Sequence, residues 1–170
     1  MTQRLRFKGK LIKVATEIRR LPNGRRIQLE TIEHPGAVLI VPFLNADRLV
    51  LIRQFRPVLN MYLYELPAGT LNPGERPLSC AGRELMEETG YRAGTLVKVG
   101  KIFPVPGYST EVITIFKAQQ LKSIKQISQK DADEVIRVCV MTRAQIKKLF
   151  ARGRMNDAKT ISALAFCGVL

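Results

Sequence analysis

The chain has 170 residues, 46% of them apolar and 25% charged, a composition that is typical of one globular domain and excludes a disordered or fibrous chain. Its formal net charge of +14 favours phosphate-bearing ligands or nucleic acid as partners, and equally fits a solvated basic surface without a specific partner. The three cysteines are widely spaced, and no apolar run has the length of a secretory signal or a membrane span. We therefore expect a cytoplasmic protein with reduced thiols and no membrane partner.

Antiparallel strands are predicted in the first third of the chain. Residues 4–18 and 25–32 alternate apolar and polar side chains, and the Asn-Gly pair between them is typical of a tight hairpin turn. Two further strands, at 37–44 and 48–55, are separated by a short polar turn, which predicts a second hairpin. Because these strands are more apolar, we expect them to be buried.

A helix is predicted at 78–89, where good helix formers are followed by Gly90 at the position of a left-handed C-terminal cap. Ser79 is the candidate N-cap. Helices that follow strands without regular βαβ repetition predict an α+β domain and not a doubly wound parallel sheet. The remaining predicted elements are strands at 62–67, 95–103, 111–118 and 134–141, and helices in the segments RAQIKKLFARG and DAKTISALAFCG.

Three carboxylates crowd one turn of the predicted helix. Glu84 and Glu88 are four residues apart, and Glu87 directly precedes Glu88. Arg83 can pair with Glu87, which leaves Glu84 and Glu88 facing each other without an opposing charge. A hard divalent cation would relieve that repulsion, with Mg²⁺ as the first choice and Mn²⁺ as the alternative. The simpler alternative is a solvated acidic helix face.

A longer spaced pattern surrounds these carboxylates. Gly69 is followed after five residues by Glu75 and, after seven more, by the run RELMEETG that starts at Arg83, with the large residue Tyr91 behind it. Residues 69–91 resemble the Nudix box at every constrained position, and a pattern of this length is far more specific than a short glycine motif.

The resemblance implies a Nudix fold, in which a mixed β-sheet is sandwiched between helices (α/β/α). We expect one domain over residues 1–170, with an N-terminal antiparallel β-hairpin at 1–33, a catalytic core at 34–170 and the box at 69–91. It also implies metal-dependent hydrolysis of a nucleoside diphosphate linked to another group. The implied metal ligands are Glu84, Glu88, Glu87 and the backbone carbonyl of Ala68, with Arg83 and Glu75 as supports.

Segments outside the box are similar to those of the ADP-ribose pyrophosphatase and nucleoside diphosphate sugar hydrolase branch. They are HPGAVLIVPF, LIRQFRP, YELPAG and PVPGYSTEV. This similarity implies Mg²⁺-dependent cleavage of ADP-ribose to AMP and ribose 5-phosphate, with another substrate such as GDP-mannose as the alternative. The implied substrate-binding residues are Arg56, Glu65 and Glu111, with Arg53 as a weaker phosphate candidate.

One loop departs from that branch. Relatives often carry an acidic run where this chain reads QKDADEVIRV, and Ala132 interrupts it here. Glu134 is the first candidate for the catalytic base, and a box glutamate is the second; Glu87, Glu88 and Arg83 complete the candidate catalytic set. A third possibility is an impaired module that binds a nucleotide or RNA through its basic surface, which the intact box disfavours.

The N-terminal strands of relatives often cross to a partner subunit, so the resemblance favours a homodimer. His34, the only histidine, is interpreted as a turn residue before Pro35 and not as an acid or base.

Overall fold

The computed structural model describes residues 3–124 and 135–170, which form ten strands, three α-helices and one 3₁₀ turn at Pro57–Leu59. The strands are β1 (Gln3–Lys8), β2 (Lys13–Arg20), β3 (Arg26–Glu33), β4 (Ala37–Pro42), β5 (Arg48–Arg56), β6 (Met61–Glu65), β7 (Ala68–Thr70), β8 (Tyr91–Ile102), β9 (Ile113–Ser123) and β10 (Ile136–Thr142). The helices are α1 (Pro77–Thr89), α2 (Arg143–Ala151) and α3 (Ala158–Phe166).

The N-terminal segment contains three antiparallel strands where the sequence predicts two. The β2–β3 hairpin matches the prediction, and Gly24 adopts the positive φ of 84° that its turn requires. The predicted strand at 4–18 is divided into two, because a turn begins at Gly9. The Gly9 N–H donates to the Ile12 carbonyl at 2.9 Å. The three strands form a separate sheet in the order β1-β2-β3.

The prediction that residues 37–44 and 48–55 form a hairpin is wrong. β4 lies in a four-stranded sheet, antiparallel to β7 and parallel to β9, whereas β5 lies between β6 and β10 in another sheet. The segment just after β4 meets β5 at an isolated bridge from Phe43 to Leu49, and the two strands do not pair along their length. Both are buried along most of their length, so each is a central strand that needs hydrogen-bonded partners on both edges.

Two apolar layers cover the two faces of the four-stranded sheet. On one face, Val38 and Ile40 of β4 pack against Leu85 and neighbouring residues of α1. On the other face, alternate β4 residues pack against β5, α2 and α3. This arrangement of mixed sheets with few helices confirms the predicted α+β class, with helices on both sides of the four-stranded sheet. Within the described residues, no helix is both long and apolar enough to cross a membrane.

Helix α1 begins and ends at residues that explain its bounds. Arg76 occupies the N-cap position without a side-chain hydrogen bond, and Pro77 at the first helical position has no N–H to satisfy. Ser79 is therefore not the N-cap, and that prediction is wrong. Gly90 ends the helix with φ of 72°, as its sequence position predicts, and its N–H donates to the Met86 carbonyl.

Candidate active site

Strand β7 approaches helix α1 so closely that only glycine fits at residue 69. A Cβ atom on Gly69 would lie 1.9 Å from the carboxyl carbon of Glu84, far inside any allowed contact. The Glu84 carboxylate thus occupies the space that a side chain at residue 69 would fill. The requirement for glycine at residue 69 therefore has a direct steric cause.

Arg83 connects the acidic residues of this region. Its Nε and Nη2 donate to the two carboxylate oxygens of Glu75, each at 3.0 Å, and its Nη1 donates to Glu87 at 2.9 Å. The same Nη1 lies 2.6 Å from Glu84 Oε1. The expectation that Glu84 lacks an opposing charge is therefore wrong, because one guanidinium serves three carboxylates.

These contacts change the ionisation of the groups involved. The hydrogen bonds from Arg83 lower the pKa of Glu75 to about 2, and the pKa of Arg83 is raised in turn, chiefly by its hydrogen bonds to Glu75. Cys80 Sγ lies 3.3 Å from Arg83 Nη2, and burial raises the pKa of its thiol to about 12. Glu75 and Arg83 therefore stay charged, whereas Cys80 stays a neutral thiol at neutral pH.

Glu88 connects the same helix to the start of β7. Its side chain is buried, and its Oε2 accepts a hydrogen bond from the Ala68 N–H at 3.0 Å. Within residues 3–124 and 135–170, no three Asp, Glu, Cys or His side chains are grouped as a ready metal site, and oxygens of Glu84 and Glu87 face Arg83. The donors around this point are nevertheless carboxylate and carbonyl oxygens, which suit a hard divalent cation.

A cavity of about 1250 Å³ opens over these residues. Glu84, Glu87, Glu88 and Arg83 line it from α1, and Ala68 and Gly69 line it from β7. Cationic side chains line the same space from three other parts of the chain: Lys10 and Lys13 near the β1–β2 turn, Arg56 at the end of β5 and Lys159 in α3. A large cavity with carboxylates and cations can hold a cation and phosphate groups together.

Two of those cations share one buried carboxylate. Glu65 is fully buried and accepts two hydrogen bonds from Arg56, at 2.7 and 2.6 Å, and one from Lys159. Burial raises the pKa of Glu65, but the hydrogen bonds from Arg56 and Lys159 outweigh it and hold that pKa below the usual value. Asp157, the N-cap of α3, also pairs with Lys159 at 2.8 Å. Glu65 itself is not a lining residue; it holds two residues that are.

Lys159 is a cavity residue that sequence reasoning missed. The segment DAKTISALAFCG predicts only a helix, and Lys159 lies 94 residues from Glu65 along the chain. The one sequence signal that could have located Lys159 was the Asp157 N-cap, because it places Lys159 in the first turn of the helix.

Of the other predicted site residues, Glu111 lines the cavity and Arg53 does not. Glu111 lines the cavity, 3.9 Å from His34 Nδ1. That Nδ1 accepts the Gly36 N–H at 3.1 Å, which is the turn role expected of His34. Arg53 is not among the residues that line the cavity; its guanidinium stacks 4.5 Å from the centre of the Tyr62 ring. Glu134 lies outside the described residues.

Known proteins resemble this chain in sequence. The family model of the NUDIX domain matches residues 33–164. The ADP-ribose pyrophosphatase of Bacillus subtilis (strain 168) is 36% identical over 94% of this chain and 86% of its own length. The GDP-mannose pyrophosphatase of Klebsiella pneumoniae subsp. pneumoniae is 31% identical over 77% of this chain and 69% of its own length.

A solved structure resembles the whole fold. A crystal structure of an ADP compounds hydrolase superposes with a TM-score of 0.81 at 27% identity, covering 98% of this chain and 90% of the other. The chain therefore belongs to the Nudix family, and it is a pyrophosphohydrolase.

Proposed function

We propose that this enzyme hydrolyses the pyrophosphate bond of a nucleoside diphosphate sugar, with ADP-ribose as substrate and AMP and ribose 5-phosphate as products. The observation that carries the proposal is the meeting, in one cavity, of the α1 carboxylates with Arg56 and Lys159. The names of the relatives support this substrate class, and ADP-ribose is favoured over GDP-mannose because its relative matches more of the chain at higher identity.

In this proposal Glu84, Glu88, Glu87 and the Ala68 carbonyl hold Mg²⁺, for which Mn²⁺ can substitute. When bound, the cation neutralises phosphate charge and makes a bound water more acidic. The support is the all-oxygen donor set and the steric match of Gly69 to Glu84. Arg83 positions Glu84 and Glu87, since its side chain contacts both.

Arg56 and Lys159 bind the diphosphate in this proposal. Each is half-buried in the cavity wall, and each is fixed by Glu65, so little rotamer freedom is lost when substrate binds. Glu65 is thus a positioning residue, and Glu111 contacts the substrate from the opposite loop. Arg53 acts on the substrate only from a distance, because its guanidinium stacks on Tyr62 and is not among the residues that line the cavity.

The proton of the attacking water requires a base. We keep Glu134 as first candidate for that role on the family resemblance, with a box glutamate, Glu87 or Glu88, as the second. Both box residues line the cavity, so either can receive the proton through a water molecule.

We also propose that the enzyme acts as a cytoplasmic homodimer. The support is the N-terminal sheet, whose side chains Leu5 and Phe7 are more than half exposed. Lys13 of the same sheet and Lys10 in its β1–β2 turn line the cavity, so assembly through this sheet would affect the active site.

The test is the Glu88→Gln variant, assayed with Mg²⁺ and separately with ADP-ribose and GDP-mannose. A glutamine oxygen can still accept the Ala68 N–H, so the fold should survive while kcat falls at least about 100-fold. Product analysis by chromatography should show AMP and ribose 5-phosphate from the wild-type protein.

Asp47→Asn, an exposed substitution in the β4–β5 turn, serves as the control and should leave kcat unchanged. Unaltered turnover in Glu88→Gln would refute the proposed metal site. Faster hydrolysis of GDP-mannose than of ADP-ribose would refute the proposed substrate. Binding of RNA without turnover of any nucleotide would refute the enzymatic proposal itself.

A further inference from the structure

A second cavity lies at the opposite end of β4 from the active-site cavity. The active-site cavity is lined by Ala37 and Val38 at the start of the strand, and the second cavity by Phe43 just after its end. A strand advances about 3.3 Å per residue, so Val38 and Phe43 are separated by about 16 Å. The two cavities share no lining residue among those the structure describes.

Two cations border this second cavity. Lys117 Nζ lies 5.1 Å from the centre of the Phe43 ring, and the Arg143 guanidinium carbon lies 5.5 Å from the same point. Both side chains are half-buried, and Phe43 is buried. Neither cation forms an ion pair with a carboxylate in the part of the chain that the structure describes, so two positive charges lie near one ring without an opposing charge there.

Arg143 is held in place by the backbone. Its Nε donates to the Ala46 carbonyl at 3.0 Å and its Nη1 to the Gly168 carbonyl at 2.9 Å. These bonds fix the plane of the guanidinium against the β4–β5 turn and the C-terminal segment. A cation that is fixed before a ligand arrives binds an anion at a lower entropic cost than a mobile surface side chain.

The rest of the lining supplies polar groups and a suitable size. Asn45, Gln119 and Gln120 border the cavity, and their amides can donate hydrogen bonds. The volume is about 430 Å³, within the range of cavities that hold small ligands. A fixed guanidinium, a second cation, amide donors and limited volume suit a phosphate group better than a neutral ligand or an extended polymer.

We propose that this cavity, between Lys117 and Arg143, binds the phosphate group of a small molecule at a site separate from the active-site cavity. The proposal does not depend on the substrate of the enzyme. Lys117 and Arg143 belong neither to the box nor to the lining of the active-site cavity, and the proposal assigns them a ligand of their own.

The test is a titration of the full-length ¹⁵N-labelled protein with inorganic phosphate, in EDTA and at constant ionic strength. Backbone amide signals of Ala46, Gln119 and Gln120 should shift and saturate. Lys117→Gln should raise the apparent Kd at least about tenfold, the effect of losing one charge-assisted hydrogen bond. Lys122→Gln, an exposed lysine on the same strand, should leave it unchanged.

Two further variants separate the possible outcomes. Lys117→Arg retains the charge and should retain binding, which distinguishes loss of the ligand from loss of the fold. The Lys10→Gln, Lys13→Gln double variant removes two exposed cations of the active-site cavity, leaves the buried Glu65 paired, and should still give the same shifts. Absence of saturation, an unchanged Kd in Lys117→Gln, or loss of the shifts in the double variant would each overturn the proposal.

Discussion

The contact between residue 69 and Glu84 is the tightest constraint in the active site. Replacement of Gly69 by alanine puts a methyl group where the Glu84 carboxylate lies, so either that carboxylate or strand β7 must move. We expect Gly69→Ala to reduce kcat by at least about 100-fold, because small displacements of catalytic groups have effects of that size. Steady-state kinetics at saturating Mg²⁺ would measure this.

Gly82→Ala is the matched control for that substitution. Gly82 lies in α1 next to Arg83, and its added Cβ would meet only Leu96 Cδ1, at an ordinary 3.8 Å. Alanine is the better helix former by about 1 kcal/mol, so this variant should be active and somewhat more stable. Equal activity of the two variants would show that Glu84 need not lie where the structure places it.

The Glu75–Arg83 pair predicts a pH dependence of stability. Arg83 lowers the pKa of Glu75 from 4.5 to about 2, so the pair stabilises the fold fully above pH 4.5 and loses its effect as the pH falls towards 2. The free energy of unfolding should therefore be higher for the wild type than for Glu75→Gln at pH 7, and the difference should narrow between pH 4.5 and 2. Urea denaturation at several pH values measures it; a constant difference would contradict the assignment.

At the scale of single elements, helix α3 matters because its first turn carries Lys159 into the cavity. Lys159→Gln should raise KM for ADP-ribose about tenfold or more, since a hydrogen bond to a charged phosphate is worth about 1.5–3 kcal/mol. Lys147→Gln, on the exposed face of α2, is the control and should leave KM unchanged. A change in thermal stability without a change in KM would restrict Lys159 to a structural role beside Glu65.

Strand pairing is the element-scale feature that the sequence predicted least well. Both β4 and β5 have the burial of inner strands, and their apolar runs indicate this correctly. The short turn between them suggests a hairpin, but β4 is hydrogen-bonded to β7 and β9, and β5 is hydrogen-bonded to β6 and β10. A run of apolar residues predicts burial and leaves the partner undetermined, because every strand offers the same backbone groups.

At the scale of the whole molecule, the N-terminal sheet is joined to the body through Ile32. Its N–H donates to the Tyr108 carbonyl at 2.7 Å, and its carbonyl accepts from the Thr110 N–H at 2.9 Å. Leu5 and Phe7 on this sheet are 54% and 56% exposed. We expect the double variant Leu5→Glu, Phe7→Glu to shift a dimer to monomer, because charges placed in an apolar interface lose their hydration.

Light scattering coupled to size exclusion, at micromolar protein, gives the mass directly. Val58→Glu is the control, since Val58 is 97% exposed at the β5–β6 turn and should not alter the mass. A wild-type protein that is monomeric, or a double variant that stays dimeric, would refute assembly through this sheet.

The sequence by itself determined the family, the α+β class and the helix that carries Glu84, Glu87 and Glu88. It could do so because the box is local: Gly69, Arg83 and Gly90 each meet a steric or electrostatic requirement within a few turns of chain. Only the tertiary structure decided that Glu65 is buried and that it accepts hydrogen bonds from both Arg56 and Lys159. Lys159 lies 94 residues from Glu65 along the chain, and the burial that makes the charges of these residues depend on one another exists only after the chain has folded.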